Sequence, residues 1–376
     1  MKIALLTNFI PPYRRLLYLL VAKKFELLRV FISTRMESDR SWEVNHEGLE
    51  VTVQKTITYR KEWKHENGYN QFSDTHIPYD TLFKLIKYRP DVVISAELGI
   101  RSLFSALYCS VFNKKLILWL ALSEHTESNK TGVRIALRKY ILRNAAAILC
   151  NGESAKNYVK SIGISKPFYY VPYSSDYKTK PSKNNFNSTI KRILFTGQLI
   201  PRKGIAPMVD ELVSWALKNK STQLELIVAG DGPEAHHFKK LDQSPNITCK
   251  LLGNVKYEEL SKWYEQVDFY LFPTLGDEWG IVVNEALSNG VPVIGSIYSQ
   301  AVLELIEDDK NGWQYDPLVN GELGKLLTKA FKVTNDDLQK MSAYGLEVVK
   351  EISTEKVSET IVRAVNESMG SISIVN

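Results

Sequence analysis

Cysteine is scarce in this chain. Its 376 residues contain three, Cys109, Cys150 and Cys249, far apart and with no C-x-x-C spacing. That excludes a disulfide framework and a thiolate metal site, and suggests buried thiols in a reducing compartment. The 20 glycines and 14 prolines are too few for a collagenous or low-complexity chain. No apolar stretch approaches the roughly 20 residues of a membrane span. The opening MKIALLTNFIPPYRR reads as a strand and a turn, without the apolar segment and small-residue cleavage site of a secretory signal. These absences set the expectation of a cytoplasmic protein.

The composition that remains, 44% hydrophobic and 24% charged, is that of a globular protein. The length predicts two domains of roughly 150–200 residues each. Charge is unevenly spread over the chain. Residues 1–190 carry 29 Lys+Arg against 16 Asp+Glu, a net of +13, and residues 191–376 carry 19 against 26, a net of −7. A basic half points to an anionic partner: nucleic acid, an anionic membrane surface or a phosphorylated substrate. The basic residues are scattered, so a solvated face is the competing reading. The first half has no nucleic-acid-binding motif, and no nucleic-acid partner is expected.

Apolar, β-branched runs at 2–9, 27–33, 91–97, 115–122 and 145–152 alternate with helical periods over 14–24, 79–88, 99–112, 132–143 and 154–162. Nearly unalternated strands separated by helices predict a parallel sheet covered on both faces. Residues 44–75 fit this alternation less well and read as an edge hairpin or a long functional loop. A second series places strands at 191–197, 224–230, 247–253, 268–274 and 291–296, with helices over 205–219, 233–241, 256–266, 282–289 and 299–307. The expected organisation is a first domain over 1–173, a polar linker over 174–190, a second domain over 191–350 and a helical tail over 351–376 returning to the first. Two doubly wound α/β domains facing a cleft would bind ligands outside the carboxyl ends of their strands.

The loops at those ends carry the chemistry. In PTLGDEWGIVVNEALSNGVPVIGS, residues 273–296, a strand runs into a loop with Gly276, Asp277, Glu278 and Gly280, and a helix follows. Gly280 lets backbone approach a ligand, and the N–H groups of Ile281 and Val282 form an anion site. Acids beside such a site suit neutral hydroxyls, one taking a sugar and the other a ribose. The plain alternative is a helix cap at Asp277 and a solvated Glu285. In FTGQLIPRKG, residues 195–204, Arg202 and Lys203 precede a helix and suit a diphosphate. GDGPEA, residues 230–235, mimics a dinucleotide fingerprint but lacks the acid about 20 residues later, and reads as a tight turn. In the first half, Glu124 and His125 follow the strongest strand. His125 contacts a reacting group or merely caps its loop, and Arg14 meets phosphate or solvent.

Taken together, these segments resemble the retaining glycosyltransferases of family 4, which have the GT-B fold of two Rossmann-like domains. The resemblance runs in order through FTGQLIPRKG, LELIVAGDGPEAHHF, the ITCKLLGNV…FYLFPT stretch and DEWGIVVNEALSNGVPVIGS. It implies that Glu285 holds the nucleotide ribose, that Lys203 meets the donor diphosphate, and that the backbone of Trp279, Gly280 and Ile281 lies under sugar and phosphates. It also implies that His125 sits beside the transferred sugar. The family's first acid falls on Asp277, with Glu278 beside it, and Gln198 replaces the family's usual arginine, so that Arg202 supplies the missing charge. The family's glycine-rich first turn is replaced here by PPYR.

The expected activity is therefore a retaining, metal-independent hexosyl transfer from a nucleotide-diphospho-sugar, UDP-linked, to a saccharide or lipid-linked acceptor at an anionic membrane surface. The nucleotide-sugar is a substrate, and no cofactor is expected. A nucleotide-sugar epimerase on the same fold and a non-catalytic sugar-nucleotide sensor are the alternatives.

Overall fold

Strand β1 (Lys2–Thr7) buries Ile3, Ala4, Leu5 and Leu6 almost completely. Burial on both faces is what a central parallel strand requires, and explains why the run does not alternate. The computed structural model describes residues 1–37, 45–122, 132–175 and 189–370. In chain order β1 is followed by β2 (Leu27–Ile32), β3 (Glu50–Val53), β4 (Thr56–Lys64), β5 (Asn70–Pro78), β6 (Val92–Ala96), β7 (Lys115–Leu120), β8 (Ala147–Cys150) and β9 (Phe168–Tyr170). Seven of these form one sheet in the order β3-β2-β1-β6-β7-β8-β9, parallel at every pairing. The other two, β4 and β5, form a separate two-stranded sheet. The ambiguous region 44–75 thus contains an edge strand and most of a hairpin.

The second series builds β10 (Ile190–Thr196), β11 (Gln223–Ala229), β12 (Ile247–Gly253), β13 (Phe269–Phe272), β14 (Val293–Ser296) and β15 (Gly312–Tyr315). Their order is β12-β11-β10-β13-β14-β15, again all parallel. Both large sheets are doubly wound, as the alternation of strands and helices predicts. In each, the strand order reverses beside the first strand, at β1/β6 and at β10/β13. A switch point of this kind opens a crevice at the carboxyl ends of the strands. The stretch expected as an α-helix over 233–241 is instead a 3₁₀ run, Pro233–Gln243.

The chain divides into two units. One comprises Met1–Glu62, Phe72–Asp176 and Ile352–Asn376, and the other Trp63–Gln71 and Tyr177–Glu351. Residues 63–71, expected with the first domain, therefore group with the second unit. In the first unit the helix Thr354–Ser368 places Val357, Ile361, Ala364 and Val365 in one apolar cluster with Leu17, Tyr18 and Val21 of the helix Pro12–Ala22. The second unit is centred on Ile193, Phe195, Leu226, Val228, Phe269 and Leu271. Cys109 and Cys150 are buried, Cys249 is half-buried, and all three are free thiols. Among the described residues no helix is long and apolar enough to cross a membrane.

Candidate active site at the second switch point

The β10/β13 switch point brings two loops together, backbone against backbone. The N–H of Leu275 donates to the carbonyl of Arg202 at 2.8 Å, and the Thr274 hydroxyl donates to the same oxygen at 3.2 Å. Gly204 makes this approach possible. It sits at φ +68°, and a Cβ there would lie 2.1 Å from the carbonyl oxygen of Pro273, closer than any side chain tolerates. The pairing places Arg202 and Lys203 over the acid loop. Lys203 Nζ lies 2.5 Å from Asp277 Oδ2, Arg202 Nη1 lies 3.3 Å from the same oxygen, and Arg202 Nη1 donates to the Gly276 carbonyl at 2.9 Å. Arg202 Nε is buried without a hydrogen-bond partner among the described residues.

Burial alone would raise the Asp277 carboxyl. Lys203, Arg202 and a hydrogen bond from the Trp279 backbone outweigh it and hold the group down at about 2. Asp277 is thus an ionised carboxylate lying on two cations, rather than the helix cap that its position also allows. Glu278, its neighbour, is exposed. Trp279 is buried, and its indole N–H donates to Asn284 Oδ1 at 2.8 Å. Gly280 follows at φ +102°, where a Cβ would press within 2.6 Å of the Phe272 ring and 2.8 Å of Ser299 Oγ. The helix Ile281–Ser288 begins there. The N–H groups of Ile281 and Val282 precede its first bond, from Val283 N–H to the Gly280 carbonyl. They are donors of the kind that binds anions.

One helical turn further, Glu285 is 4% exposed and accepts a hydrogen bond from Tyr264 Oη at 3.2 Å. Burial pushes its carboxyl up to about 7, against the hydrogen bond from Tyr264. A carboxylate kept this poorly solvated is suited to a pair of hydroxyl donors.

Residues 176–348 match the profile of the family glycosyl transferases group 1. From Tyr177 onward the matched segment lies in the second unit. An uncharacterized glycosyltransferase of Haemophilus influenzae is 29% identical over 227 residues, 57% of this chain and 60% of that protein. The alpha-monoglucosyldiacylglycerol synthase of Acholeplasma laidlawii is 26% identical over 150 residues, 39% of this chain and 37% of that protein. The chain thus spans less than two thirds of the length of these relatives. Among solved structures, the HepE protein of Anabaena in complex with UDP aligns with a TM-score of 0.70 and 17% identity, over 98% of this chain and 100% of that one. The fold is GT-B.

Within the matched segment, Gln198, Arg202, Lys203, Asp277, Glu278, Trp279, Gly280, Ile281, Val282 and Glu285 all lie in or beside the two switch-point loops or on the helix that follows. His125 lies outside the described residues. Arg14, in the first turn of the helix Pro12–Ala22, is 8% exposed, with its guanidinium 4.3 Å from the Trp119 ring centre and 4.2 Å from that of Tyr173. Among the described residues no group of three His, Cys, Asp or Glu side chains could hold a metal ion.

The β1/β6 switch point of the first unit carries polar residues that no motif marks. Asn8 Nδ2 donates to Glu97 Oε1 at 2.5 Å, Arg101 donates to Asn8 Oδ1, and Arg101 Nη2 also donates to Ser33 Oγ at 2.6 Å. Glu97 sits at φ +70°, a conformation uncommon for a residue with a Cβ. Burial raises its carboxyl, against the opposing Arg101. The signal for these residues was their position directly after β1 and β6.

Proposed function

We propose that this protein is a retaining glycosyltransferase moving a hexose from a UDP-linked sugar to a saccharide or lipid-linked acceptor. The observation that carries this reading is that Lys203 and Arg202 meet at Asp277, in the loop that leads into the helix bearing the Ile281 and Val282 N–H groups and buried Glu285, within the segment that matches group 1. The cations and the helix N-terminus take the diphosphate and stabilise its growing charge as the sugar bond breaks, without a metal ion. Glu285 takes the ribose hydroxyls. Asp277 holds the two cations in register and, with Glu278 at the rim, faces the sugar. The acceptor hydroxyl attacks from the face the diphosphate leaves, which retains configuration with no enzyme nucleophile. Asn8, Glu97 and Arg101 offer mixed donors and an acceptor to acceptor hydroxyls.

The donor assignment is supported by the neighbouring structure bound to UDP, and the lipid-linked acceptor by the relative named as a diacylglycerol glycolipid synthase. For the anionic membrane surface, the helix Val133–Arg143 presents Val133, 86% exposed, and Tyr140 beside Arg134 and Arg143. The helix Pro12–Ala22, the other basic amphipathic stretch, packs Leu17, Tyr18 and Val21 into the core. The test is incubation with radiolabelled UDP-hexoses and separation of products. Transfer, or slow hydrolysis to hexose and UDP, supports the reading. An isomerised donor would make the protein an epimerase, and binding without turnover would make it a sensor.

A further inference from the structure

The β4–β5 hairpin is buried at the wrong end for a simple surface ribbon. On its stem Ile57, Tyr59 and Phe72 are 60%, 61% and 56% exposed, whereas at its tip His65 and Tyr69 are 3% and 5% exposed. The tip closes on itself: the His65 N–H donates to the Tyr69 carbonyl at 2.8 Å, and the two rings stack at 4.6 Å and 9°. What covers it is the acid loop of the segment that matches group 1. Asn67 Nδ2 donates to the Leu275 carbonyl at 2.6 Å. Tyr69 Oη lies over Gly276, so near that a Cβ on that residue would come within 2.4 Å of it.

Leu275 and Gly276 are also the residues that Arg202 holds. The Leu275 N–H donates to the Arg202 carbonyl, and Arg202 Nη1 donates to the Gly276 carbonyl. The peptide leading into Asp277 is therefore held by both Arg202 and the hairpin tip. We infer that Asn67 and Tyr69 are positioning residues of the donor site, an inserted piece of the chain's first half that holds the Asp277 loop against Arg202 and Lys203. The inference rests on the donor reading above for its functional consequence, though not for the clamp itself.

Gly276 makes the clamp testable as a double-mutant cycle. Gly276→Ala places a methyl group against Tyr69 Oη, and the next nearest ring atoms stand at 3.3 and 3.7 Å. Removing the oxygen with Tyr69→Phe should relieve most of the clash. UDP affinity is measured by calorimetry and donor hydrolysis by product release, in wild type, both single variants and the double variant. Misplacing a loop by about 1 Å can lower turnover by as much as 10²-fold, so Gly276→Ala should weaken UDP binding and hydrolysis by on the order of 10- to 100-fold. In the Tyr69→Phe background the same substitution should lose no more than about threefold, a strong coupling between the sites. Tyr69→Ala and Asn67→Ala should raise the KM for donor while leaving the far-ultraviolet spectrum native, and Tyr59→Ala on the exposed stem should change nothing. Equal losses from Gly276→Ala in both backgrounds would overturn the inference. If the wild type binds no UDP, the donor reading fails, and the same four proteins still decide the clamp through their unfolding midpoints: a coupled shift upholds it and additive shifts refute it.

Discussion

The two switch points of this protein share a topology and differ in chemistry. At β10/β13 two cations, an ionised Asp277 and a helix N-terminus gather, an arrangement that has positive charge to offer once a stronger anion competes for it. At β1/β6 the Arg101 guanidinium donates to Asn8, which in turn donates to Glu97, whose carboxyl is raised by burial. The first arrangement suits a diphosphate and the second suits hydroxyl groups. Position in the fold therefore says where a ligand binds, and the side chains at that position say which ligand.

The largest effect should follow from breaking the cation site. Lys203→Ala should lower turnover by on the order of 10²–10³, the usual loss when a preorganised electrostatic contact to a leaving group is removed. Steady-state kinetics with saturating acceptor checks it, and a variant within twofold of wild type would remove Lys203 from the mechanism. Glu97→Gln sharpens the comparison from the other side. It should reduce transfer to acceptor by about tenfold, on the scale of a charge-assisted hydrogen bond, yet leave calorimetric UDP affinity unaltered. A parallel loss of UDP affinity would mean the two switch points do not divide the labour.

The carboxyls of Asp277 and Glu285 are shifted in opposite directions. Glu285 has its carboxyl raised to about 7, and hydroxyl binding favours the carboxylate, so UDP affinity should rise with pH up to about 7 and then level off. One pH unit below that point the loss is about 1.4 kcal/mol, or tenfold. Glu285→Gln should bind more weakly and show no such slope. Because its folded value is raised, Glu285 by itself makes the fold less stable as pH rises from about 4.5 toward 7. Asp277, held at about 2, contributes stability that is present above its ordinary value near 4 and lost as pH falls through about 2. Asp277→Asn should therefore destabilise the protein at neutral pH by on the order of 2 kcal/mol, read in urea unfolding.

The smallest effect expected is at the membrane. Neutralising Arg134 and Arg143 should weaken binding to anionic vesicles by about 1 kcal/mol each, an effect that fades with salt. No sedimentation with vesicles at any salt would leave the +13 of the first half as a solvated face.

Sequence alone determined the two doubly wound sheets, because buried parallel strands write their burial as unalternated apolar runs such as KIALLT and QLELIVA. It also determined which two loops of the second half matter, since Arg202–Lys203 and the Asp277–Glu285 block carry their chemistry within a few residues of a strand end. Tertiary structure alone decided the pairings. That Asp277 lies on Lys203, 74 residues away, and on Arg202 beside it depends on β10 and β13 becoming neighbours, a non-local event with no local periodicity to mark it. The same is true of Arg14, whose place at a helix start said nothing of Trp119 and Tyr173. The hairpin shows the limit most clearly. Asn67–Gly68 between alternating strands is a turn signal, but where a turn docks is set by complementary surfaces 208 residues apart in the chain, and no periodicity records that.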